Sequence, residues 1–274
     1  SSEYLAEDDS TPLLATCIFF VGLETIFMGL LYTSRYFGDR KKSNWWMIIL
    51  MTNGYLVCMG KLTLGILMVE IGGAGRHLAT LPSHTIENTL RLQTALQIIC
   101  PLTTSMTKLA VLCLFHQILG QTSRTYSLVI KTTFILVLAI LIAQCLIPFI
   151  NCRPFAYTWD MTLHGHCSIS ALVLWRYLSI PNIVTTFVLI SIPLPALYKL
   201  KISRAMKVGL SLVFIVCGFG VVAAIMRFYS FLEVQDFHDI TFEVVKPLCW
   251  TAAESGIYLV AGVMPMLRPL AKRV

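Results

Sequence analysis

Seven long apolar stretches separated by short polar connections set the pattern of the chain. They fall at approximately 12–33, 46–69, 92–118, 127–150, 171–198, 207–230 and 245–266. Each exceeds the roughly 20 helical residues that cross a hydrocarbon core of about 30 Å. Backbone amides in lipid must be satisfied within their own segment, so unbroken apolar runs predict helices. Barrel strands would instead alternate apolar and polar positions over about ten residues, an alternation these stretches do not show. The pattern predicts an all-α membrane protein, a seven-transmembrane helix bundle forming a single domain over residues 1–274, with residues 1–11 as a tail before the first helix.

Composition agrees with the pattern. Hydrophobic residues make up 57% and charged residues 13%, with a mean hydropathy of +0.76, outside the range of soluble domains. Short cytoplasmic loops retain Lys and Arg, and every second loop here is basic: Arg35, Arg40, Lys41 and Lys42; Arg124; Lys199, Lys201, Arg204 and Lys207; Arg268, Lys272 and Arg273. The other side carries an acidic tail (Glu3, Glu7, Asp8, Asp9) and Glu233, Asp236, Asp239 and Glu243. This places the amino terminus outside and the carboxyl terminus in the cytoplasm. The net charge of +7 is accounted for by the inner loops, so it signals orientation and anionic lipid, with no nucleic acid implied. The start, "SSEYLAEDD", has neither an initiator Met nor a signal-peptide pattern. The first helix is expected to act as its own insertion signal, within a longer protein. The expected location is a plasma membrane or endomembrane, as a multi-pass protein.

Seven of the nine cysteines fall in or near the apolar stretches, where a thiol packs as a small hydrophobe. Cys152 and Cys167 lie in the loop "NCRPFAYTWDMTLHGHCSIS" on the oxidising side, where a disulfide persists. Closing a loop of that size is worth about 3 kcal/mol. His164 and His166 beside Cys167 form one His-x-His, short of the four ligands a metal site requires, so no metal is expected.

Ionisable residues inside a membrane cost about 2.5 to 3.5 kcal/mol at a helix centre and usually face the bundle interior. Glu24 and Lys108 lie near mid-helix, while Lys61 and Glu254 lie in the outer third. Depth suggests pairing Glu24 with Lys108 and Lys61 with Glu254, the second being favoured by helix adjacency. Lys108 alternatively shares Glu254 or bonds to Asn53 or Asn182. Arg91, Arg176 and Arg227, near outer ends, are expected to snorkel. In the last stretch, Ala252 and Gly256 form a small-xxx-small pair allowing close helix approach. Trp250 and Tyr258 flank Glu254 at i−4 and i+4. Together Glu24, Lys61, Lys108, Asn182, Trp250, Glu254 and Tyr258 are the candidate interior cluster or ligand site.

Several segments carry a resemblance: "GRH" (Gly75 to His77), "TKLAVLCLFHQIL" in the third stretch, "NCRPFAYTWD" followed by "GHC", "PNIVTT", "PLPALYKLKI", "IMRFYSF", and "WTAAE" with "PMLRPL". Taken together, these resemble the fungal rhodopsin-domain family of integral membrane proteins, which includes receptor-like members and members encoded in secondary-metabolite clusters. Two positions depart from the family pattern: an acidic pair before Trp is replaced by Asn44 with Trp45 and Trp46, and an acidic residue after the "NI" of helix five is replaced by Thr186. The label does not imply retinal, because the last stretch offers Lys246 only at its outer edge and Lys108 is on the wrong helix for a Schiff base. No cofactor is expected.

The resemblance implies a receptor-like sensor of a small or surface-derived ligand, bound in an outer pocket among helices two, three, six and seven and read by a cytoplasmic signalling partner. The alternative is a membrane-embedded isomerase or cyclase, or an accessory protein, acting on an apolar or amphipathic intermediate, with Glu254 or Glu24 as general acid and Lys61 or Lys108 holding an oxyanion. Transport ranks third: Pro181 and the Pro193/Pro195 pair mark breaks in helix five, but the chain lacks internal repeats.

Overall fold

In the computed structural model, residues 7–37, 45–120, 123–160, 162–195, 204–234 and 239–267 are described. Seven long helices dominate them: α1 (Thr11–Phe37), α2 (Trp45–Glu70), α3 (Ser83–Leu119), α4 (Arg124–Asn151), α5 (Ala171–Ser191), α6 (Arg204–Glu233) and α7 (Val245–Val263). Six of these regions are long and apolar enough to cross a membrane, α7 being the exception. The inner-loop cations Arg40, Lys41, Lys42, Lys199, Lys201, Arg268, Lys272 and Arg273, with the outer acids Glu3 and Asp236, lie outside the described residues.

The arrangement explains how α7 can be less apolar than a lipid-facing span. It packs on α6, α1, α3 and α2 and is buried along most of its 19 residues. Surrounded by protein, it can carry Thr251, Glu254 and Ser255 without presenting them to acyl chains. Gly256 lets α1 come close, since a Cβ there would collide with the Phe20 ring and lie 3.1 Å from Glu24 Oε1. Gly220 does the same for α6, because a Cβ would sit 2.7 Å from the Tyr258 ring. One apolar core joins α3 through α7, including Leu112, Phe115, Leu189, Val213 and Tyr258. A second joins α1, α2, α3 and α7 around Leu62, Met68 and Leu96.

Helix α3 begins well before the apolar stretch expected at 92–118 and runs for 37 residues. Its first turns are polar, so apolar content does not reveal them. There Glu87 holds Arg91 at 2.6 Å, an exposed i, i+4 pair, in place of snorkelling.

Two loop systems close the same end of the bundle. In one, β1 (Cys152–Arg153) pairs antiparallel with β2 (His166–Cys167), and Cys152 and Cys167 form a disulfide. Between them Phe155 packs on Phe149 at 4.8 Å and on Trp159 at 5.1 Å. Hydrogen bonds from the Thr162 hydroxyl and N–H hold the Asp160 carboxyl below its usual range. In the other, the segment "GRH" ties three chain segments together. Gly75 N donates to Thr241 O and Gly75 O accepts from Asp9 N, both at 2.9 Å. His77 stacks on Phe242 at 4.5 Å, and its Nδ1 lies 3.1 Å from Asp239 Oδ2. Gly75 has φ +94, and a Cβ there would lie 2.6 Å from Ser10 Cα, so the position requires glycine.

Candidate functional site

Lys108, 1% exposed, is completely enclosed. Its Nζ donates to Asn182 O at 2.8 Å, Asn182 Oδ1 at 2.5 Å and Thr185 Oγ1 at 3.1 Å, and sits 5.9 Å above the Tyr258 ring. Asn182 uses the other end of its amide, donating from Nδ2 to Glu254 Oε1 at 2.8 Å. Glu254 Oε2 lies 3.3 Å from Arg227 Nη1. The result is a buried relay, Lys108 to Asn182 to Glu254 to Arg227, across α3, α5, α7 and α6. In a low-dielectric interior each member depends on its neighbours, because an unpaired charge there is costly.

The expected pairs are therefore corrected. Glu254 pairs with Arg227, not with Lys61, and Lys108 binds not Glu24 but Asn182, one of the alternatives expected for it. Depth and helix adjacency were insufficient, because α6 lies closer to this face of α7 than α2 does. Arg227 was expected to snorkel but is 5% exposed. It is six residues from the end of α6 and Glu254 nine residues into α7, about 9 Å and 14 Å along antiparallel neighbours. Arg176 instead closes the end of α6, donating from Nε to Phe231 O at 2.7 Å and from Nη2 to Val234 O.

Lys61 and Glu24 meet α7 next to the relay, at Thr251, Ser255 and Gly256. Lys61 Nζ donates to Thr251 O at 3.2 Å and to Ser255 Oγ; sequence reasoning missed both partners. Glu24 is fully buried, and neither of its carboxyl oxygens has a hydrogen-bond partner. The single interior cluster anticipated from sequence is thus two adjacent groups that meet at α7. Tyr258 is fully buried beneath Lys108, whereas Trp250 is only partly buried.

Beside the relay is a cavity of about 30 Å³, open on one side. Gln97, Thr104, Gln144, Ser179, Asn182 and Arg227 supply its polar wall, Trp175 and Leu178 part of its apolar wall. It lies among α3, α4, α5 and α6, not among helices two, three, six and seven as expected. Prolines shape the first two helices at this point. Pro101 removes the N–H that would bond the Gln97 carbonyl, and Pro148 does the same for Gln144. Gln144 Nε2 donates to Leu178 O at 2.7 Å, bridging α4 to α5. Gln97 Nε2 and Arg227 Nε and Nη2 have no partner.

Long apolar helices around a charged, hydrogen-bonded interior define a multi-pass all-α membrane protein. The comparisons narrow the class. The fungal rhodopsin domain matches residues 30–273, and the chain belongs to that family. It is 29% identical over 271 residues to a polyenoic acids biosynthesis gene cluster protein from Metarhizium anisopliae, covering 93% of this chain and 72% of that one. It is 27% identical over 173 residues to a SAT4 family membrane protein from Emericella nidulans, covering 62% of this chain and 45% of that one. No solved structure matches.

Proposed function

We propose that the chain is a receptor-like membrane protein that binds a small molecule in the cavity beside Arg227 and passes the event along the relay to the packing of α7. In this reading all seven long helices span the bilayer, with the amino terminus and the Cys152–Cys167 loop on the non-cytoplasmic side. The basic inner-loop sequences and the disulfide support that orientation. The observation that carries the proposal is the continuity of the relay with the cavity: Asn182 and Arg227 belong to both. A ligand that alters the hold of Arg227 on Glu254 changes the balance of contacts on α7, and a ligand shifts an equilibrium only through such differential contacts.

A second reading, a component of a secondary-metabolite pathway, is favoured by the relative named for a biosynthesis gene cluster. As an isomerase or cyclase with Glu254 or Glu24 as general acid it has less support, because neither carboxyl lines the cavity. Deleting the gene, with metabolite profiling and growth on surface cues, separates the readings. The receptor reading expects altered responses to surface cues and no accumulating precursor; a precursor that accumulates while those responses stay normal overturns it. Glu254→Gln should reproduce the deletion phenotype at normal protein level.

A further inference from the structure

Arg227 is held by only one edge. Its Nη1 faces Glu254, leaving Nε and Nη2, the side-on fork of the guanidinium, without a partner in a side chain 6% exposed. A fork of two parallel N–H groups matches the two oxygens of a carboxylate. Across the cavity, Gln97 is 5% exposed and its Nε2 is also unpartnered. Both residues line the same small cavity, and among the described residues three of their donors have no acceptor; leaving such groups buried and unpaired is unfavourable.

Charge points the same way. The relay holds two basic side chains, Lys108 and Arg227, and one acidic, Glu254. Glu24 approaches Gly256 and Lys61 bonds Ser255, so neither joins the relay, whose basic groups outnumber its one carboxyl and favour an anionic guest. The cavity of about 30 Å³ holds a carboxylate-sized group but not a chain. It is open on one side, and α4 packs mainly on α3 and only lightly on α5, with Trp175 and Leu178 as apolar walls.

We infer that the cavity is the head-group site for a carboxylate-headed apolar molecule: Arg227 Nε and Nη2 grip the carboxylate, Gln97 Nε2 donates to it, and the tail passes Trp175 and Leu178 outward between α4 and α5. The inference rests on reading this cavity as a ligand site and adds the chemical class of the ligand.

The test is equilibrium binding of tritiated oleate to the full chain in nanodiscs, with methyl oleate and acetate as competitors. Saturable oleate binding is expected, with methyl oleate and acetate each at least about tenfold weaker. Arg227→Gln should weaken oleate about ten- to hundredfold, the range for a hydrogen bond to a charged group. Gln97→Leu should weaken it about three- to tenfold, and Lys131→Gln, an exposed cation on α4, should leave it unchanged. Should Arg227→Gln fail to fold, Gln97→Leu and the ester comparison decide. Lack of saturable binding, equal affinity for the ester, acetate competing as well as oleate, or Gln97→Leu binding like the wild type overturns the inference. Equal affinity for the ester leaves the receptor reading standing, whereas a precursor accumulating in the deletion strain counts against that reading and not against acid binding.

Discussion

Asn182 is the one member of the relay that both accepts and donates, accepting a hydrogen bond from Lys108 on Oδ1 and donating one to Glu254 from Nδ2. No carboxylate can serve both ends. Asn182→Asp places a second anion where a donor stood 2.8 Å from Glu254, and its expected cost is about 1 to 3 kcal/mol. Thermal unfolding in detergent followed by size-exclusion fluorescence would show it, and a midpoint equal to wild type would refute the assigned roles. Lys108→Met should be at least as harmful, since it leaves the buried Asn182 Oδ1 without its donor. Lys108 was legible in sequence because an ammonium amid Leu, Val and Phe stands out. Arg227 was not, because an arginine near a helix end has the same sequence signature whether it reaches outward or folds inward; only the position of α7 decides. Ser255 and Thr251 were also illegible, since hydroxyls in a helix commonly bond their own backbone, as Ser255 does to Thr251 O at 3.2 Å in addition to receiving Lys61.

At the scale of elements, the apolar helices were readable because length and hydropathy are local properties. The extra turns of α3 were not, as they are polar and stand on contacts from distant loops: Thr89 Oγ1 donates to Gly72 O. The disulfide loop and the Gly75 junction close the same end of the bundle by different means. Gly75→Ala meets both a positive φ and the Ser10 backbone, so it should lower stability by about 1 to 3 kcal/mol; faster amide exchange at Asp9 and at residue 75 itself, whose N–H groups close the junction, would locate the effect. Cys152→Ser opens a loop with a sequence separation of 15 and should cost about 3 kcal/mol relative to the oxidised wild type, and the reduced wild type should match the variant. Gly220→Val tests helix approach, because its side chain has only the Tyr258 ring to move into. Loss of monodisperse protein is the expected result, and Gly218→Val, facing open space, is its control.

For the whole molecule, the meeting of the two charged groups follows from the place of α7. It presents Ser255 and the Thr251 carbonyl to Lys61 and Glu254 to Arg227 and Asn182. A segment this rich in hydrogen-bonding groups is a poor passenger for the translocon, which admits helices one at a time according to their solubility in lipid. Its integration then depends on earlier helices already assembled to receive it. Fused alone to a glycosylation-tagged host protein, residues 245–263 should integrate inefficiently, and adding residues 204–244 upstream should raise the integrated fraction. The same dependence makes the docking of α7 a checkpoint: a chain whose other long helices are wrongly packed offers it no berth and is left exposed to quality control.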